Sequence, residues 1–502
     1  MALELTRQEF EVENLIGTRE AQVLLRAEAL VPGAGREAIE PLLSDASLFI
    51  DTADLQTDRV VLDGTASCQA VYRQGGETTL RALTAQAKLN HVLEIPGAEP
   101  GMFSRVWAAV DHVEAKYENG HMIFLVTCTL RAQALRLVPV SGISSVAGQE
   151  GLETAYDTLN SVKLAAESSE MALLRDSVSL PAALDARATL MDWATAEVEE
   201  VSPDLGGVRV KGRVLVETLV SSGAAGRPAA VIRVPMALDQ LVELPEWLTG
   251  DVAAEVDVRG VRSQIAMTPD SDSPGLTCEA ELRVRVLANT TDRPEVLTDI
   301  YATRGNALEV EMRDISLCTR VNRARLTESV RGTVMIGEDA PRVGSVIAAQ
   351  VRPVVGGWQG ADGAGRVEGI LEAAVLYVPS DGGQPACAAA EIPFAVDVPM
   401  ALDEASGIAV QTLAAEASAL MGDRLDMKVQ LGLLCETRAR ETARIVTDVQ
   451  EGAPLKRQNG IVIVWPAQGE DAWTIARRYA IPSAQAADAQ AGKALVLRIE
   501  GV

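Results

Sequence analysis

The sequence predicts a mainly β protein, with three repeated β-rich modules followed by a small strand–helix–helix–strand (βααβ) module. Three observations predict this fold class. Alternating apolar residues follow three glycines, a second landmark precedes each glycine at a nearly constant distance, and the residue pattern changes after Asn459. Successive side chains of a strand point to opposite faces, so a stripe with a period of two indicates one buried face.

The strand that follows Gly64, Gly212 and Gly369 is the clearest shared feature. The second, fourth, sixth and eighth residues after each glycine form a largely apolar stripe, and each strand then enters a glycine-containing turn typical of a hairpin. The stripe consists of Ala66, Cys68, Ala70 and Tyr72 in the first copy, Val214, Val216, Thr218 and Val220 in the second, and Leu371, Ala373, Val375 and Tyr377 in the third.

A second landmark indicates that this recurrence is a true repeat. An apolar segment ends at Pro32, Pro181 and Gly337, which precede the three glycines by 32, 31 and 32 residues. The spacing predicts modules of roughly 150 residues, the size of a domain. Any all-β protein contains alternating strands and glycine turns, but that alternative does not explain the shared spacing. The predicted boundaries are 1–140, 152–290 and 298–446 for the three β-rich modules and 456–502 for the C-terminal module.

Composition narrows the classes of partner. The 502 residues are 48% hydrophobic, which is sufficient for packed cores, and the net charge is −25. This acidity argues against nucleic acid and against anionic lipid surfaces as partners. The chain has no basic start followed by an apolar run and no apolar stretch of about 18 residues, so we expect neither a secretory signal nor membrane insertion. The six cysteines show no Cys-x-x-Cys spacing, which favours reduced thiols in a cytoplasmic protein.

No motif predicts catalysis, so we expect no enzyme, no catalytic residue and no cofactor. All three histidines, His91, His112 and His121, fall in the first module, which raises the hypothesis of a metal site. Their spacing is not that of metal ligands on a helix, and surface or strand-packing histidines are favoured. The segment 269–275 begins like a calcium loop but has Pro274 at the fifth position, so a polar turn is predicted instead.

The C-terminal module follows a different pattern. An apolar strand runs over 461–465 and ends at Pro466, and an amphipathic helix is predicted over 473–479. Ser483 is a good N-cap residue for a second helix through Asp488, and a last strand follows over 495–499.

This module resembles the LysM domain. Gly469, Trp473, Ile475, Ala476 and Tyr479 match the family pattern, and Gly492 followed by Leu495 resembles its closing motif. In LysM domains that bind N-acetylglucosamine polymers, the groove lies between the turn before the first helix and the loop after the second. The resemblance implies a partner- or glycan-binding groove made of Gly469, Glu470, Asp471, Ala472, Trp473, Asp488, Gln490 and Gly492.

The three β-rich modules resemble the SPOCS domain. The resemblance rests on Leu174 to Pro181 with Val210-Lys211-Gly212, and on Val367 to Tyr377. Such modules followed by one LysM domain are similar to the SipL-type spore-coat morphogenesis proteins. The resemblance implies a non-enzymatic adaptor in the mother-cell cytoplasm at the forespore surface, whose LysM domain contacts the coat-nucleating ATPase. The three repeated modules themselves favour an extended, acidic scaffold, and the sequence leaves open whether they pack together. The alternative is a protein that binds peptidoglycan.

Overall fold

The computed structural model of the chain describes residues 3–33, 38–267, 274–361, 363–456 and 459–499. The polar turn predicted over 269–275 falls largely on residues outside this set. The described residues form antiparallel sheets of two or three strands, so the mainly β fold class is confirmed. No described helix is long and apolar enough to cross a membrane.

Three groups of six strands form three β-sandwiches. Sandwich 1 contains β1 (Glu4–Leu30), β2 (Ile39–Gln56), β3 (Arg59–Gln74), β4 (Arg81–Glu94), β5 (Phe103–Glu118) and β6 (His121–Ala147). After the short strand β7 (Leu152–Thr158), sandwich 2 contains β8 (Ser161–Ser179), β9 (Ala186–Asp204), β10 (Gly207–Ser222), β11 (Ala229–Glu243), β12 (Asp251–Met267) and β13 (Pro274–Asp292). After β14 (Glu295–Ala302), sandwich 3 contains β15 (Asn306–Met335), β16 (Val343–Ala361), β17 (Ala364–Pro379), β18 (Ala386–Val398), β19 (Gly407–Met421) and β20 (Arg424–Pro454).

The three sandwiches share one topology. In each, the first, sixth and fifth strands form one sheet and the second, third and fourth strands form the other. The two sheets of each sandwich face each other across cores of buried aliphatic residues. The strand after each anchoring glycine (β3, β10 and β17) is the central strand of its sheet, and the apolar stripe of that strand faces this core. The period-two pattern therefore identified the buried face correctly.

Each anchoring glycine lies opposite a β-bulge in the preceding strand. The register skips Asp51 opposite Gly64, Glu199 opposite Gly212 and Gly356 opposite Gly369. A Cβ atom on the glycine would lie 2.6, 2.1 and 2.1 Å, respectively, from a carbonyl oxygen of the bulged strand. Glycine is required here because the two backbones approach too closely for any side chain.

The sandwiches pack against one another at equivalent positions. Val71, Leu219 and Leu376 each lie seven residues after the anchoring glycine, and all three are fully buried in one cluster. Their strand partners Leu43, Met191 and Ala348 belong to the same cluster. This three-way core joins the second sheets of all three sandwiches. The expectation of an extended scaffold is therefore wrong, because the first and third repeats meet as well as the consecutive ones.

Beyond the sandwiches, each repeat extends a two-stranded arm. The arms are the paired outer ends of β1 and β6, the ribbon β7–β14, and the paired outer ends of β15 and β20. One residue of each arm belongs to a second shared cluster: Phe10, Leu159 and Ile315. These positions are equivalent, because each lies 21 residues before the buried residue that follows the first strand of its sandwich, which is Val31, Leu180 or Ile336. The repeats are thus joined at two separate places along their length.

A buried ionic network lies between the sandwiches. Arg105 of sandwich 1 is 2% exposed and donates to Glu255 of sandwich 2 at 2.9 Å and to Glu436 of sandwich 3 at 3.0 Å. The fully buried Glu13 accepts from Arg438 of sandwich 3 at 2.7 Å. Buried charges of this kind require partners in defined positions, so the network fixes the relative placement of the repeats.

The C-terminal module consists of β21 (Gly460–Val464), α1 (Ala472–Tyr479), a 3-10 helix at Ser483–Ala486 and β22 (Leu495–Ile499). The two strands pair in an antiparallel sheet. The prediction of a second α-helix from Ser483 through Asp488 is wrong: that segment forms only the four-residue 3-10 helix. The backbone bonds of this segment span three residues, as from Gln485 N to Pro482 O at 2.9 Å and from Ala489 N to Ala486 O at 3.0 Å, so the chain closes 3-10 turns here instead of an α-helix.

Candidate recognition site in the C-terminal module

The C-terminal module is attached to the arm of the second repeat through its helix. Trp473 Nε1 donates to Asp299 Oδ2 on β14 at 2.8 Å, and Arg477 donates to the same oxygen at 2.6 Å. The Trp473 ring meets Tyr301 edge to face, with ring centroids 5.0 Å apart. The carboxylate and the aromatic ring together hold α1 against β14.

Tyr301 also completes the core of the C-terminal module. It clusters with Ile475, Ala476 and Leu497, and its hydroxyl donates to the carbonyl of Ile481 at 3.1 Å. Burial, with smaller contributions from nearby carboxylates, raises the pKa of this tyrosine well above its ordinary value. A residue of the second repeat therefore belongs to the C-terminal core, and the hydroxyl keeps its proton at neutral pH.

The structure brings the two predicted groove loops together. Gly492 N donates to Pro466 O at 3.1 Å, which links the loop before α1 to the loop before β22. Gly469 and Gly492 both have positive φ and open space around them. Asp488 and Gln490 are exposed on the second loop. We call these four residues the rim; they lie on the two loops that the sequence predicts on either side of the groove.

The other predicted groove residues are engaged in structural contacts. Asp471 caps α1 by accepting from Thr474 N at 2.8 Å. Hydrogen bonds from the Thr474 side chain and, to a smaller extent, from its backbone hold the pKa of the Asp471 carboxyl below the ordinary value. Glu470 accepts from Ala467 N and pairs with Arg478. Ala472 lies half-buried in the first turn of α1.

Trp473 is also half-buried, because it packs against β14. The eight predicted groove residues thus divide into four on the two open loops and four that make contacts within the protein, and their role in binding stays a prediction.

An exposed apolar face lies on the other side of the C-terminal sheet and was not among the predicted site residues. Ile461, Ile463 and Val496 are 69, 52 and 58% exposed, and Ile463 pairs directly with Val496 across the two strands. Trp465, 63% exposed, continues the alternation on the same side. The signal in the sequence is the apolar run Ile461 to Trp465, in which both faces of a strand are apolar although the helices can cover only one.

The histidines do not come together in the structure. His112 Nδ1 lies 2.7 Å from Glu372 Oε1, whereas His121 Nδ1 lies 3.3 Å from Asn119 O. Within the described residues, no group of three or more His, Cys, Asp or Glu side chains has an arrangement that could hold a metal ion. Burial raises the pKa of Cys68 and Cys435 to about 11, so both remain protonated thiols at neutral pH.

A cavity of about 1350 Å³ lies between the three sandwiches. Two carboxyl groups on its wall have pKa values raised by burial, those of Asp45 and Asp192. Asp45 is held by Arg352, and Asp192 accepts from Thr218 Oγ1 at 2.7 Å and Ser263 N at 3.2 Å. Both carboxyl groups thus have fixed partners within the protein.

Comparison with known families supports one part of the sequence resemblance. Residues 40–118 match the family model described as SipL, SPOCS domain. The matched segment runs from β2 to the end of β5 and contains Gly64 with its organising strand. Searches of curated proteins and of solved structures found no match to this chain.

Proposed function

We propose that this chain is a non-enzymatic structural adaptor of spore-envelope assembly, similar to SipL-type proteins, with a LysM-like C-terminal module as its recognition head. The observation that carries the proposal is the apolar face of the C-terminal sheet, made of Ile461, Ile463, Trp465 and Val496. Its opposite face packs on α1, and α1 is fastened to β14, so the apolar face points away from the body of the protein. A contiguous apolar surface held on a rigid support is typical of a protein-binding site.

The partner is a protein that covers this face with apolar side chains. Given the resemblance to SipL-type proteins, we propose that this partner is the coat-nucleating ATPase and that binding takes place in the mother cell at the forespore surface. The match of residues 40–118 to the SPOCS model supports this sporulation context. The body contributes a compact acidic support that presents the recognition head in a fixed orientation.

A point substitution tests this function without unfolding the module. Ile463→Asp places a carboxylate in the centre of the exposed face, and we expect it to abolish capture of the protein partner from sporulating-cell extract. Leu420→Asp is the matched control, because Leu420 is a 62% exposed aliphatic residue on sandwich 3 and its substitution should leave capture unchanged. If Ile463→Asp retained the same partners as the unaltered chain, the recognition face would be assigned wrongly.

A second candidate function is peptidoglycan binding through the predicted groove. The observation that favours it is the open space around Gly469 and Gly492 on the rim. Sedimentation of the full chain with purified cell wall separates the two functions. We expect the chain to remain in the supernatant; co-sedimentation that Ile463→Asp does not affect would favour the glycan-binding function.

The absence of catalysis remains part of the proposal. It is supported by the fixed partners of Asp45 and Asp192 in the central cavity and by the high pKa values of the buried thiols. A general acid or base needs a proton that it can exchange with a substrate, and both carboxyl groups are already engaged by neighbouring side chains.

A further inference from the structure

A second apolar site lies on sandwich 2, at the end where β9 turns into β10 and β11 leads into β12. Trp247 is 74% exposed and Leu205 is 85% exposed, and the two segments that carry them are joined by a hydrogen bond from Leu244 N to Gly206 O of 3.3 Å. Of the six tryptophans of the chain, only Trp247 and Trp465 are more than half exposed. We name this surface, consisting of Leu205, Glu243, Glu246 and Trp247, the sandwich 2 tip.

Trp247 is held in place by its neighbours on a 3-10 turn, Glu246–Leu248. Leu244 and Leu248 on either side are buried in the core of sandwich 2, and Leu248 N donates to Pro245 O at 2.9 Å. A rigidly presented tryptophan loses little conformational entropy on binding, which is why such residues dominate protein interfaces.

The equivalent loop of sandwich 3, between its fourth and fifth strands, is bound by side chains of sandwich 1. Each of the two loops joins the fourth strand of its sandwich to the fifth and starts with proline after a buried aliphatic residue. In sandwich 3 the carbonyl of Ser406 accepts from Arg131 of sandwich 1 at 2.8 Å, and that of Ala405 accepts from Gln133 at 2.7 Å. The Arg131 guanidinium carbon also lies over the Trp358 ring, 4.6 Å from the ring centroid. The sandwich 3 loop is therefore bound by an arginine-bearing strand, whereas the sandwich 2 loop carries an exposed tryptophan.

The charges beside Trp247 define the partner further. Neither the Glu243 nor the Glu246 side chain has an ion-pair or hydrogen-bond partner among the described residues. Arg209, the nearby cation, is already paired with Asp204 and Asp239. The segment that carries Trp247 thus also carries two carboxylates without a partner among the described residues, and these repel anionic lipid and nucleic acid and attract arginine or lysine.

We propose that the sandwich 2 tip is a docking site for a protein segment that combines an apolar anchor with neighbouring arginine or lysine side chains. This site is separate from the C-terminal recognition face and would give the adaptor a second point of attachment. Two sites on one rigid body bind a common assembly more tightly than either does alone.

Selection of random peptides displayed on phage, with the full chain as bait, tests the proposal. We expect enriched peptides to contain basic and apolar residues, and the synthetic peptides to bind Trp247→Ser at least ten-fold more weakly than the unaltered chain. The double variant Glu243→Lys, Glu246→Lys should weaken binding similarly and reduce its dependence on salt. Leu24→Ser, a change at a 66% exposed residue of sandwich 1, is the control that should leave binding unchanged.

Three outcomes would overturn the proposal. In the first, no enriched peptide depends on Trp247. In the second, the enriched peptides are acidic and the lysine double variant binds them more tightly. In the third, light scattering shows a dimer that Trp247→Ser dissociates, which would assign the tip to a second copy of this chain. All the substituted residues are exposed, so unchanged thermal unfolding confirms that each variant is folded.

Discussion

At the scale of the residue, the anchoring glycines explain why the repeat is visible in the sequence. Gly212 pairs with Val198, and the neighbouring pair, Lys211 with Glu200, leaves Glu199 as the bulged residue. The same bulge occurs opposite Gly64 and Gly369. The bulged strand also directs a carbonyl toward the next repeat, because Ile50 O accepts from Arg283 at 2.7 Å and Val198 O accepts from Arg325. One backbone irregularity thus serves both the sandwich and its contact with a neighbour.

Replacing the central glycine should therefore destabilise the protein. In Gly212→Ala the new Cβ meets the carbonyl oxygen of Glu197, and we expect a loss of about 1–3 kcal/mol in the free energy of unfolding. Gly337→Ala is the matched control, because no atom lies within 4 Å of its Cβ position and the loss should stay within about 0.5 kcal/mol. Urea denaturation measures both, and equal losses would show that the bulge is not the reason for the glycine.

At the scale of the element, the sequence predicts the strands well and the C-terminal helices only in part. The stripes after Gly64, Gly212 and Gly369 identify central strands because burial of one face imposes a period of two. The first C-terminal helix is recognisable from its apolar side, whereas Asp471, which caps it, was predicted as a groove residue. The second is not, since the N-cap pattern at Ser483 does not show that the helix ends after a single turn.

The place where the C-terminal module docks could not be predicted, because it depends on residues far apart in the sequence. Asp299 and Trp473 are 174 positions apart, and neither segment alone shows that it needs the other. A tryptophan on the apolar side of a helix is expected in a core or a groove, and here it contacts another module.

Removing the acceptor on β14 should loosen the C-terminal module. In Asp299→Ala, Trp473 Nε1 and Arg477 both lose their shared acceptor, so we expect amide hydrogen exchange in α1 to become several-fold faster while exchange in β10 stays unchanged. Asp488→Ala, on the exposed rim, should leave exchange in α1 unaltered. Equal protection of α1 in Asp299→Ala and the unaltered chain would contradict this docking.

At the scale of the whole molecule, the three repeats form one closed body. The sequence signal for this packing is an apolar residue where the period-two pattern calls for a polar one, near the end of each organising strand. These residues are Val71, Leu219 and Leu376. That signal identifies a strand buried on both faces, but it does not say which surface covers the second face.

The ionic network should make this body sensitive to acid. Burial alone raises the pKa of the Glu436 carboxyl. The guanidinium groups of Arg105, Arg438 and Arg323 outweigh burial and lower this pKa to about 2. A carboxyl whose pKa is lower in the folded state contributes stability above its unfolded pKa, near 4.5, and this contribution is lost as pH falls toward 2.

Glu436→Gln isolates this contribution. At pH 7 we expect a loss of about 3–5 kcal/mol, because Arg105, Arg323 and Arg438 lose a buried carboxylate that all three share, and only their remaining carboxylate partners stay. The difference in unfolding free energy between the unaltered chain and the variant should shrink as pH falls from 4.5 to 2. Chemical denaturation at a series of pH values measures this difference, and a difference that stays constant with pH would exclude the network as its source.

The most direct test of the closed arrangement of repeats is hydrogen exchange in Leu219→Ala. Leu219 belongs to sandwich 2 but packs against Val71 of sandwich 1 and Leu376 of sandwich 3, so its truncation should cost about 2–5 kcal/mol and leave a cavity that all three share. We predict faster exchange in β3 and β17 as well as in β10. Faster exchange confined to β10, with β3 and β17 fully protected, would show that the repeats are stable independently and would contradict the account.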